Sequence, residues 1–371
     1  MWQRHGSLGS ILLALVAVAV PCAAAELDPQ PGFEELHPVP AVRPDGEALL
    51  TWTRQQELLF SPFMAMAATL DPGTGQLGEI HQWGAGGTEQ VVALASGYLA
   101  VRMHVDFSTE WFIQHLDDSG RPAGAAVPLG FILTASVHPT PDGGALVVAG
   151  GIRGTGGTTE AWRFGPNGNL LSGPTVLVDK SSQAAVGVDA AGNIILVWNA
   201  PKSPLVAQRF SPDLQPLGLV INVSRSGGGG LGLAVAPDGR FVVVFVNAYR
   251  LYFRAYRADG SSLGNRLPFS TPSEYVMPED FELAVGEDGR ILVAWRSYGT
   301  AGAYVIRARS LSFAGRPLTR IFRLAQITGG YSTLLRPSVE SLPSGGFLVL
   351  WSRVEADGKT ATLQSRLVSG R

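Results

Sequence analysis

The chain has 371 residues, with 28 basic residues, 30 acidic residues and a single cysteine. This near balance of charge gives no general attraction to nucleic acid or to an anionic membrane, so we expect no nucleic-acid partner. A folded chain of this length buries about three quarters of its unfolded surface, so its core needs no disulfide bond or metal ion.

The first 25 residues predict a signal peptide. Arg4 stands in a short polar stretch, residues 11–20 are apolar, and small residues end the segment at Ala25. The apolar run is too short to span a bilayer comfortably, so we expect cleavage after Ala25 and no transmembrane segment in the mature chain. Lipidation of Cys22 is the minor alternative, disfavoured because Pro21 precedes it where a lipobox has a small residue.

Three segments follow from this cleavage. Residues 1–25 are the signal peptide, residues 26–32 are a flexible lead-in, and residues 33–371 are one domain. Cys22 leaves with the signal peptide, which excludes thiol chemistry in the mature chain. We expect the protein to be secreted or periplasmic.

One unit recurs seven times after residue 33. It consists of a short apolar strand, a turn that usually reads Asp-Gly, and a second apolar strand. The turn glycines are Gly46, Gly97, Gly143, Gly192, Gly239, Gly289 and Gly345. They are about fifty residues apart, which is the size of a propeller blade. Asp-Gly suits a two-residue turn, since glycine takes the positive φ that a primed turn requires, so we expect a tight hairpin in each unit.

The second strand of most units ends in a large aromatic residue. These residues are Trp52, Trp198, Phe245, Trp295 and Trp351. We interpret them as packing between sheets. A third strand alternates apolar and polar residues, as at 207–210, and a fourth follows a Pro-Leu-Gly or similar turn, as at 216–218. The sequence therefore predicts an all-β fold, a seven-bladed β-propeller with four-stranded antiparallel blades and no helix.

The two ends of the domain predict how the ring closes. The last unit stops at residues 363–367 and has no fourth strand, whereas residues 33–39 form a strand with no blade of its own. We expect this N-terminal strand to complete the last blade. Closure of this kind removes the free strand edges that an open sheet would expose.

The chain resembles secreted bacterial β-propeller repeat proteins. Their blades read as an Asp-Gly turn, an apolar strand ending in Trp, an Ala-Gln-Arg-Phe strand and Pro-Leu-Gly; the best copy here spans residues 206–254. The resemblance covers essentially all of the mature chain and implies the propeller fold. It implies no activity, because the function of that group is mostly unassigned and it has no shared catalytic residues.

The loop after the second strand of every unit is expected to carry a basic residue. These residues are Arg54, Arg102, Arg153, Lys202, Arg250, Arg296 and Arg353. If they converge at the channel mouth, they could hold a carboxylate, a sulfate or a sugar acid through paired N–H donors. Solvated loops are the simpler interpretation. We expect Tyr249, Tyr298 and Tyr331 on the same rim, together with Tyr275 and Trp83, where they could stack on sugar rings or anchor a protein.

The motifs of common enzymes and metal sites are missing from the sequence. No histidine has a partner at metal-ligand spacing, and no Gly-x-Ser-x-Gly elbow or phosphate-binding loop is present. We therefore expect no catalytic residue, no metal and no cofactor.

The favoured function is that of an exported, monomeric, non-enzymatic propeller that binds a protein, a glycan or a cell-envelope component through loops at the channel mouth. The alternatives are a glycosidase or lyase acting on an acidic sugar, and a structural surface module. Basic residues that converge with paired carboxylates would favour catalysis, and basic residues that converge with aromatic rings would favour binding.

Overall fold

The structure is a computed structural model. It describes residues 33–56, 63–71, 76–103, 110–132, 134–150, 157–181, 184–200, 204–278, 280–286, 288–298, 303–327, 333–343, 345–354 and 361–369. All regular secondary structure in these residues is β-strand. The predicted signal peptide and lead-in lie outside the described residues, as do Arg153, Lys202 and Tyr331.

The first four blades contain sixteen strands. They are β1 (Phe33–Val42), β2 (Ala48–Gln56), β3 (Phe63–Leu70) and β4 (His81–Ala85); β5 (Gly87–Ala93), β6 (Tyr98–Met103), β7 (Glu110–Leu116) and β8 (Val127–Phe131); β9 (Thr134–Pro139), β10 (Ala145–Gly150), β11 (Thr159–Phe164) and β12 (Leu170–Val178); and β13 (Ala184–Val188), β14 (Ile194–Asn199), β15 (Leu205–Phe210) and β16 (Pro216–Ser224).

The last three blades contain the remaining twelve strands. They are β17 (Gly229–Val235), β18 (Phe241–Asn247), β19 (Arg250–Tyr256) and β20 (Leu267–Pro268); β21 (Phe281–Val285), β22 (Arg290–Tyr298), β23 (Tyr304–Ser312) and β24 (Phe322–Ile327); and β25 (Thr333–Leu334), β26 (Ser338–Ser341), β27 (Phe347–Val354) and β28 (Ala361–Val368).

Within each of the first six blades the strands are paired in chain order and antiparallel. In the last blade β25 and β26 both pair antiparallel with β27, which pairs with β28. Blades two to six are separate four-stranded sheets, in which the first strand lies innermost and the fourth lies at the edge. The inner strands β1, β5, β9, β13, β17, β21 and β26 contact one another in that order, and β26 contacts β1 again. The chain is therefore a closed seven-bladed β-propeller, as the repeats predict.

The N-terminal strand joins the first and the last blade. β1 pairs along its length with β2, as the inner strand of the first blade. It also forms one parallel bridge to β28, between Glu34 and Ala361, so the first and last blades belong to one sheet. The N-terminal strand therefore joins the two ends of the ring, but it differs from the expectation because it is the inner strand of the first blade and meets the last blade through this one bridge.

The turn between the first two strands differs from the predicted two-residue turn. The Gly46 amide donates to the Arg43 carbonyl (2.9 Å) and the Arg43 amide donates to the Glu47 carbonyl (2.8 Å), which leaves a three-residue loop. Gly46 has a φ of 93°, whereas Asp45 is not among the residues with positive φ. This is a type I turn followed by a left-handed glycine, and its larger loop still matches the twist of the strands.

The aspartate of the Asp-Gly pair has a separate role in this turn. The Asp45 carboxylate accepts a hydrogen bond from the Glu47 amide (3.1 Å). Equivalent carboxylates at Asp142, Asp238 and Asp288 accept from the amide two residues later. The repeat is therefore Asp-Gly because aspartate satisfies an amide and glycine takes the left-handed backbone.

Seven apolar clusters fill the spaces between neighbouring blades. Each cluster draws its residues mainly from two adjacent blades, and the cluster between the first and last blades contains Trp52 and Leu350. Trp52 and Trp295 are 0 % exposed, and Trp198 and Trp351 are buried as well. Burial of one such side chain contributes roughly 2–3 kcal/mol, so the repeated aromatic position is core, as the sequence indicates.

Arginines of the third strands link one blade to the blade before it. Arg254 Nη1 donates to the Val223 carbonyl (2.9 Å) at the end of β16. Arg366 Nη1 donates to the Arg323 carbonyl (3.2 Å) in β24. These two arginines therefore satisfy backbone carbonyls of the neighbouring outer strand. By strand register they stand at the position of Gln208, one residue before the arginine of the Ala-Gln-Arg-Phe motif.

Candidate functional site

Four tyrosines form a continuous aromatic surface at the rim of blades five and six. Tyr249 and Tyr275 are stacked, with ring centroids 4.0 Å apart. Tyr275 meets Tyr298 edge to face at 6.2 Å, and Tyr298 is tilted against Tyr304 at 4.9 Å. We call these four residues the tyrosine platform. Its outer pair is open to solvent, since Tyr249 is 49 % and Tyr275 is 41 % exposed.

Backbone pairing places the four rings side by side. The Val276 amide donates to the Tyr249 carbonyl (2.9 Å), and the Tyr298 amide donates to the Tyr275 carbonyl (3.0 Å). Tyr298 and Tyr304 are cross-strand partners in β22 and β23. Side chains of directly paired residues lie within contact distance of each other, so the long segment between β20 and β21 positions Tyr275 between its neighbours.

The turn that carries Tyr249 has a strained backbone. Asn247 pairs with Arg250, which leaves the two-residue loop Ala248-Tyr249. Both residues have positive φ, 48° for Ala248 and 59° for Tyr249. Two-residue turns with this backbone strongly prefer Asn-Gly, because residues other than Gly, Asn and Asp are strained at positive φ. The chain thus holds an exposed tyrosine where glycine would be more stable.

A buried carboxylate anchors one end of the segment that carries Tyr275. Glu274 Oε1 lies 3.1 Å from Arg307 Nε, and its side chain is 5 % exposed. Glu274 Oε2 accepts hydrogen bonds from Trp295 Nε1 (3.2 Å) and from the Thr271 amide (3.1 Å). These bonds use both carboxylate oxygens, so Glu274 positions Tyr275 and offers no free charge to a ligand.

A second buried ion pair anchors the other end of that segment. Arg296 Nη2 lies 2.6 Å from Asp280 Oδ1, and the Asp280 side chain is 1 % exposed. Arg296 Nη1 donates to the Leu334 carbonyl (2.8 Å) of the next blade. The guanidinium also lies 5.5 Å from the Tyr298 ring centroid and 5.8 Å from that of Tyr304. Arg296 therefore packs against Tyr298 and Tyr304, the two platform rings farther from Tyr249.

The Tyr275 hydroxyl is a neutral donor. A hydrogen bond with Tyr249 raises the pKa of Tyr275 to about 12, with smaller contributions from desolvation and from the neighbouring tyrosines. Tyr275 consequently keeps its hydroxyl proton across the physiological pH range.

The platform contains two of the residues that the sequence singles out for ligand binding, Tyr249 and Tyr298, and a third, Arg296, lies against its rings. Tyr275 joins them as expected, whereas Tyr304 was not anticipated. Its only signal in the sequence is its position at the start of a third strand, which is uninformative without the pairing register. Trp83 does not lie on this rim: it is 5 % exposed and its Nε1 donates to the Met66 carbonyl (3.1 Å), so it is a core residue.

The other described basic residues lie elsewhere on the ring. Arg102 donates to the Ala85 carbonyl (2.5 Å) and lies over the Phe112 ring at 4.8 Å. Arg54 and Arg353 occupy the corresponding ends of β2 and β27. Arg250, in contrast, lies beside the platform and donates to the Pro272 carbonyl (3.3 Å) of the segment that carries Tyr275. Arg102 and Arg296 both donate to backbone carbonyls of a neighbouring blade, which gives these two residues a structural role.

Acidic groups from the inner strands lie inside the ring. Arg336 Nη2 lies 3.6 Å from Glu282 Oε2, and both side chains remain about 40 % exposed (40 % and 39 %). Burial, with a smaller contribution from Glu282, raises the pKa of Glu340 to about 8. Burial also raises the pKa of Glu89 and of Glu282, while Arg336 lowers both. The Glu340 carboxyl therefore keeps its proton at neutral pH.

Neither a cluster of metal ligands nor a membrane-spanning helix is present in the described part of the chain. Those residues contain no group of three or more His, Cys, Asp or Glu side chains placed to hold a metal ion. They also contain no helix that is long and apolar enough to cross a membrane.

Comparison with known proteins identifies the fold but no family. No protein-family model matches the chain, and no curated protein matches it. Among solved structures, a protein of unknown function from Dyadobacter fermentans has a TM-score of 0.58 and 13 % identity, covering 95 % of this chain and 99 % of its own. A polysaccharide lyase described as an ulvan lyase has a TM-score of 0.56 and 9 % identity, covering 93 % and 96 %.

A third similar structure comes from a mitotic checkpoint complex. Its TM-score is 0.53 at 12 % identity, and the match covers 99 % of this chain and 100 % of that chain. These neighbours are a protein of unknown function, a polysaccharide lyase and a chain of a checkpoint complex, and such low identities carry over only the architecture. The chain therefore has the fold of the seven-bladed β-propellers, and its function has to be argued from its own site.

Proposed function

We propose that this protein is a non-enzymatic binding propeller that holds its ligand on the tyrosine platform at the rim of blades five and six. The observation that carries the proposal is the exposed stack of Tyr249 on Tyr275. Tyrosine supplies a large apolar face and a polar hydroxyl at low conformational cost, which makes it a common anchor in recognition sites.

The rigidity of the platform supports binding. Hydrogen bonds and buried ion pairs hold the segment of Tyr275 at both ends, through Glu274 and Asp280. A ligand that meets a preformed surface does not have to order it, so less of the interaction energy is lost on association. The strained turn at Tyr249 agrees with this, because strained backbone tends to be retained where it serves function.

The state of the carboxylates favours binding over catalysis. A glycosidase needs two carboxyl groups that can reach the substrate as acid, base or nucleophile. The two carboxylates nearest the platform, Glu274 and Asp280, are buried and paired with arginines. The exposed part of the site consists of the aromatic rings of Tyr249 and Tyr275, and exposed rings favour binding.

We also propose that the protein is exported, on the basis of the sequence of residues 1–25. An outward-facing compartment is where a binding propeller would meet an extracellular or envelope ligand. Cell fractionation with an antibody to the domain tests this. Recovery in the cytoplasm at the size of the full chain would contradict it.

A binding screen tests the proposed site. The mature domain and its Tyr249→Ala/Tyr275→Ala variant are passed over immobilised glycans and fractionated envelope extract, with Leu219→Ala as the control for an exposed apolar residue elsewhere (90 % exposed). We expect a ligand that is retained by the wild type and the control but lost by the double variant. Retention that is equal in all three proteins would remove the platform as the binding site.

A further inference from the structure

We infer that the ligand of the tyrosine platform is an uncharged carbohydrate, bound with a sugar ring stacked on Tyr249 and held by neutral hydrogen bonds. This inference rests on the proposed function and adds the chemical class of the ligand. It departs from the sequence expectation that converging arginines would hold a carboxylate, a sulfate or a sugar acid.

The order of the rings makes Tyr249 the contact ring. Tyr275 lies between Tyr249, on which it stacks, and Tyr298, which meets it edge to face. Tyr249 is therefore the outermost ring of the platform, and its free face is apolar. The C–H face of a pyranose is complementary to such a face, whereas a charged group gains little from it.

The charged groups beneath the platform are already neutralised within the protein. Arg296 is paired with Asp280 at 2.6 Å, and Arg307 is paired with Glu274 at 3.1 Å. A ligand carboxylate that took Arg296 would leave the Asp280 carboxylate, which is 1 % exposed, without its counter-ion. Leaving a buried charge unpaired is strongly unfavourable, so an acidic ligand that bound Arg296 would destabilise the protein around Asp280.

Arg250 is the remaining described cation beside the platform. Its Nη2 donates to the Pro272 carbonyl, which directs the side chain toward the loop that carries Tyr275. This bond takes one of the five N–H donors of the guanidinium and holds the side chain against the loop. We therefore assign Arg250 to support of the loop rather than to contact with an anion.

The polar groups exposed around the rings are hydroxyls. The Tyr275 hydroxyl stays protonated, with its pKa raised to about 12 by the hydrogen bond with Tyr249. Thr271 Oγ1 and Ser273 Oγ lie 3.3 Å apart on the exposed side of the same segment. Neutral hydroxyls that both donate and accept match the hydroxyl groups of a sugar, which an apolar peptide lacks.

A panel of oligosaccharides tests the inference by titration calorimetry. The probes are the neutral cellohexaose, xylohexaose and mannohexaose and an acidic oligogalacturonate, each measured from about 0.02 M to about 0.5 M NaCl. We expect a neutral probe to bind, with a dissociation constant that changes less than about twofold over this salt range. Arg250→Gln should leave that constant within about threefold.

One variant separates loss of binding from loss of folding. Replacing Ala248-Tyr249 by Asn-Gly removes the contact ring and also supplies the residues that this turn prefers. We expect this variant to remain folded and to bind the neutral probe at least about tenfold more weakly. Leu219→Ala should bind as the wild type does.

The remaining outcomes have distinct meanings. Selective, salt-sensitive binding of oligogalacturonate that is lost in Arg250→Gln would overturn the neutral class and leave the platform as a site. Binding of a neutral sugar that the Asn-Gly variant retains would overturn both the inference and the proposed site. If no oligosaccharide binds, the inference fails. The proposed function then stands only if the platform variants lose a non-carbohydrate ligand in the envelope screen.

Discussion

Arg296 and Asp280 show how one buried ion pair can support an exposed surface. The pair fixes the segment between β20 and β21, reaches the next blade through the Leu334 carbonyl, and lies beneath two rings of the platform. Neither residue needs to touch a ligand for its loss to matter, because the position of Tyr275 depends on that segment.

Replacing Asp280 by Asn should destabilise the protein by about 3 kcal/mol, because the Arg296 guanidinium then loses its buried counter-ion. The double variant Asp280→Asn/Arg296→Met should be more stable than the single variant, since no unpaired charge remains. Urea unfolding followed by tryptophan fluorescence measures both. A single variant as stable as the wild type would show that the pair contributes little.

Glu340 gives the stability of the ring a pH dependence. Its pKa in the folded protein is about 8, above the ordinary value of 4.5, so folding favours the protonated form. This stabilisation is complete below about pH 4.5 and is lost as the pH rises through about 8. In thermal scans from pH 6 to pH 9, the melting temperature of Glu340→Gln should fall less with rising pH than that of the wild type. Parallel curves for the two proteins would contradict the assignment.

At the scale of single elements, the hairpins of the repeat divide into relaxed turns and strained turns. Most inner hairpins place glycine in the left-handed region, as Gly46 and Gly345 do. The hairpin between β15 and β16 places Leu214 there, and the hairpin between β18 and β19 places both Ala248 and Tyr249 there. Local conformational preference therefore explains the first group, and the turn with two consecutive strained residues is the one that carries the candidate site.

Changing Ala248-Tyr249 to Asn-Gly should raise the free energy of unfolding by about 1–2 kcal/mol, because it removes two strained residues. Chemical denaturation of the variant and the wild type checks this. Since the same change removes the contact ring, higher stability together with weaker binding is the expected combination. Lower stability would mean that the ring stack contributes more than the turn strain costs.

Two turn glycines should respond differently to alanine. At Gly345, with φ 82°, a new Cβ would meet nothing within 4 Å, so only the left-handed backbone is penalised, by about 1 kcal/mol. At Gly97 the Cβ would lie 2.2 Å from the Leu116 carbonyl oxygen. Gly97→Ala should therefore be destabilising by several times as much. Melting temperatures of the two variants test this order.

At the scale of the whole molecule, stability is distributed around the ring. Seven interblade clusters and the arginines of the third strands connect each blade to the next. β1 is shared by the first blade and the bridge to β28, so it is the point at which the ring is closed.

Deleting residues 33–42 should expose the edge of β2 and remove Ala41 from the cluster between the first two blades. We expect the shortened protein to aggregate or to melt at least about 10 °C lower, because free strand edges are no longer covered. Size-exclusion chromatography and circular dichroism against the full domain measure this. A monomeric protein of unchanged melting temperature would show that β1 is dispensable.

Much of this architecture follows from local pattern. The spacing of Gly46, Gly97 and their equivalents gives the number of blades, and alternation gives the faces of each strand. The length of the hairpin loop at Gly46 could not be predicted from the sequence, because Asp-Gly suits both a two-residue and a three-residue loop. Which one forms depends on the pairing of Val42 with Ala48 across the hairpin.

The sequence alone determined the repeat, the fold class, the buried aromatic positions and several of the rim residues, since these depend on period and residue type. The tertiary structure alone decided which rim residues meet. Tyr249, Tyr275, Tyr298 and Tyr304 are brought together by backbone pairing between a turn, an irregular segment and two strands. Such contacts join residues distant in the chain, so no local pattern reports them, and the same contacts neutralise Arg296 within the fold.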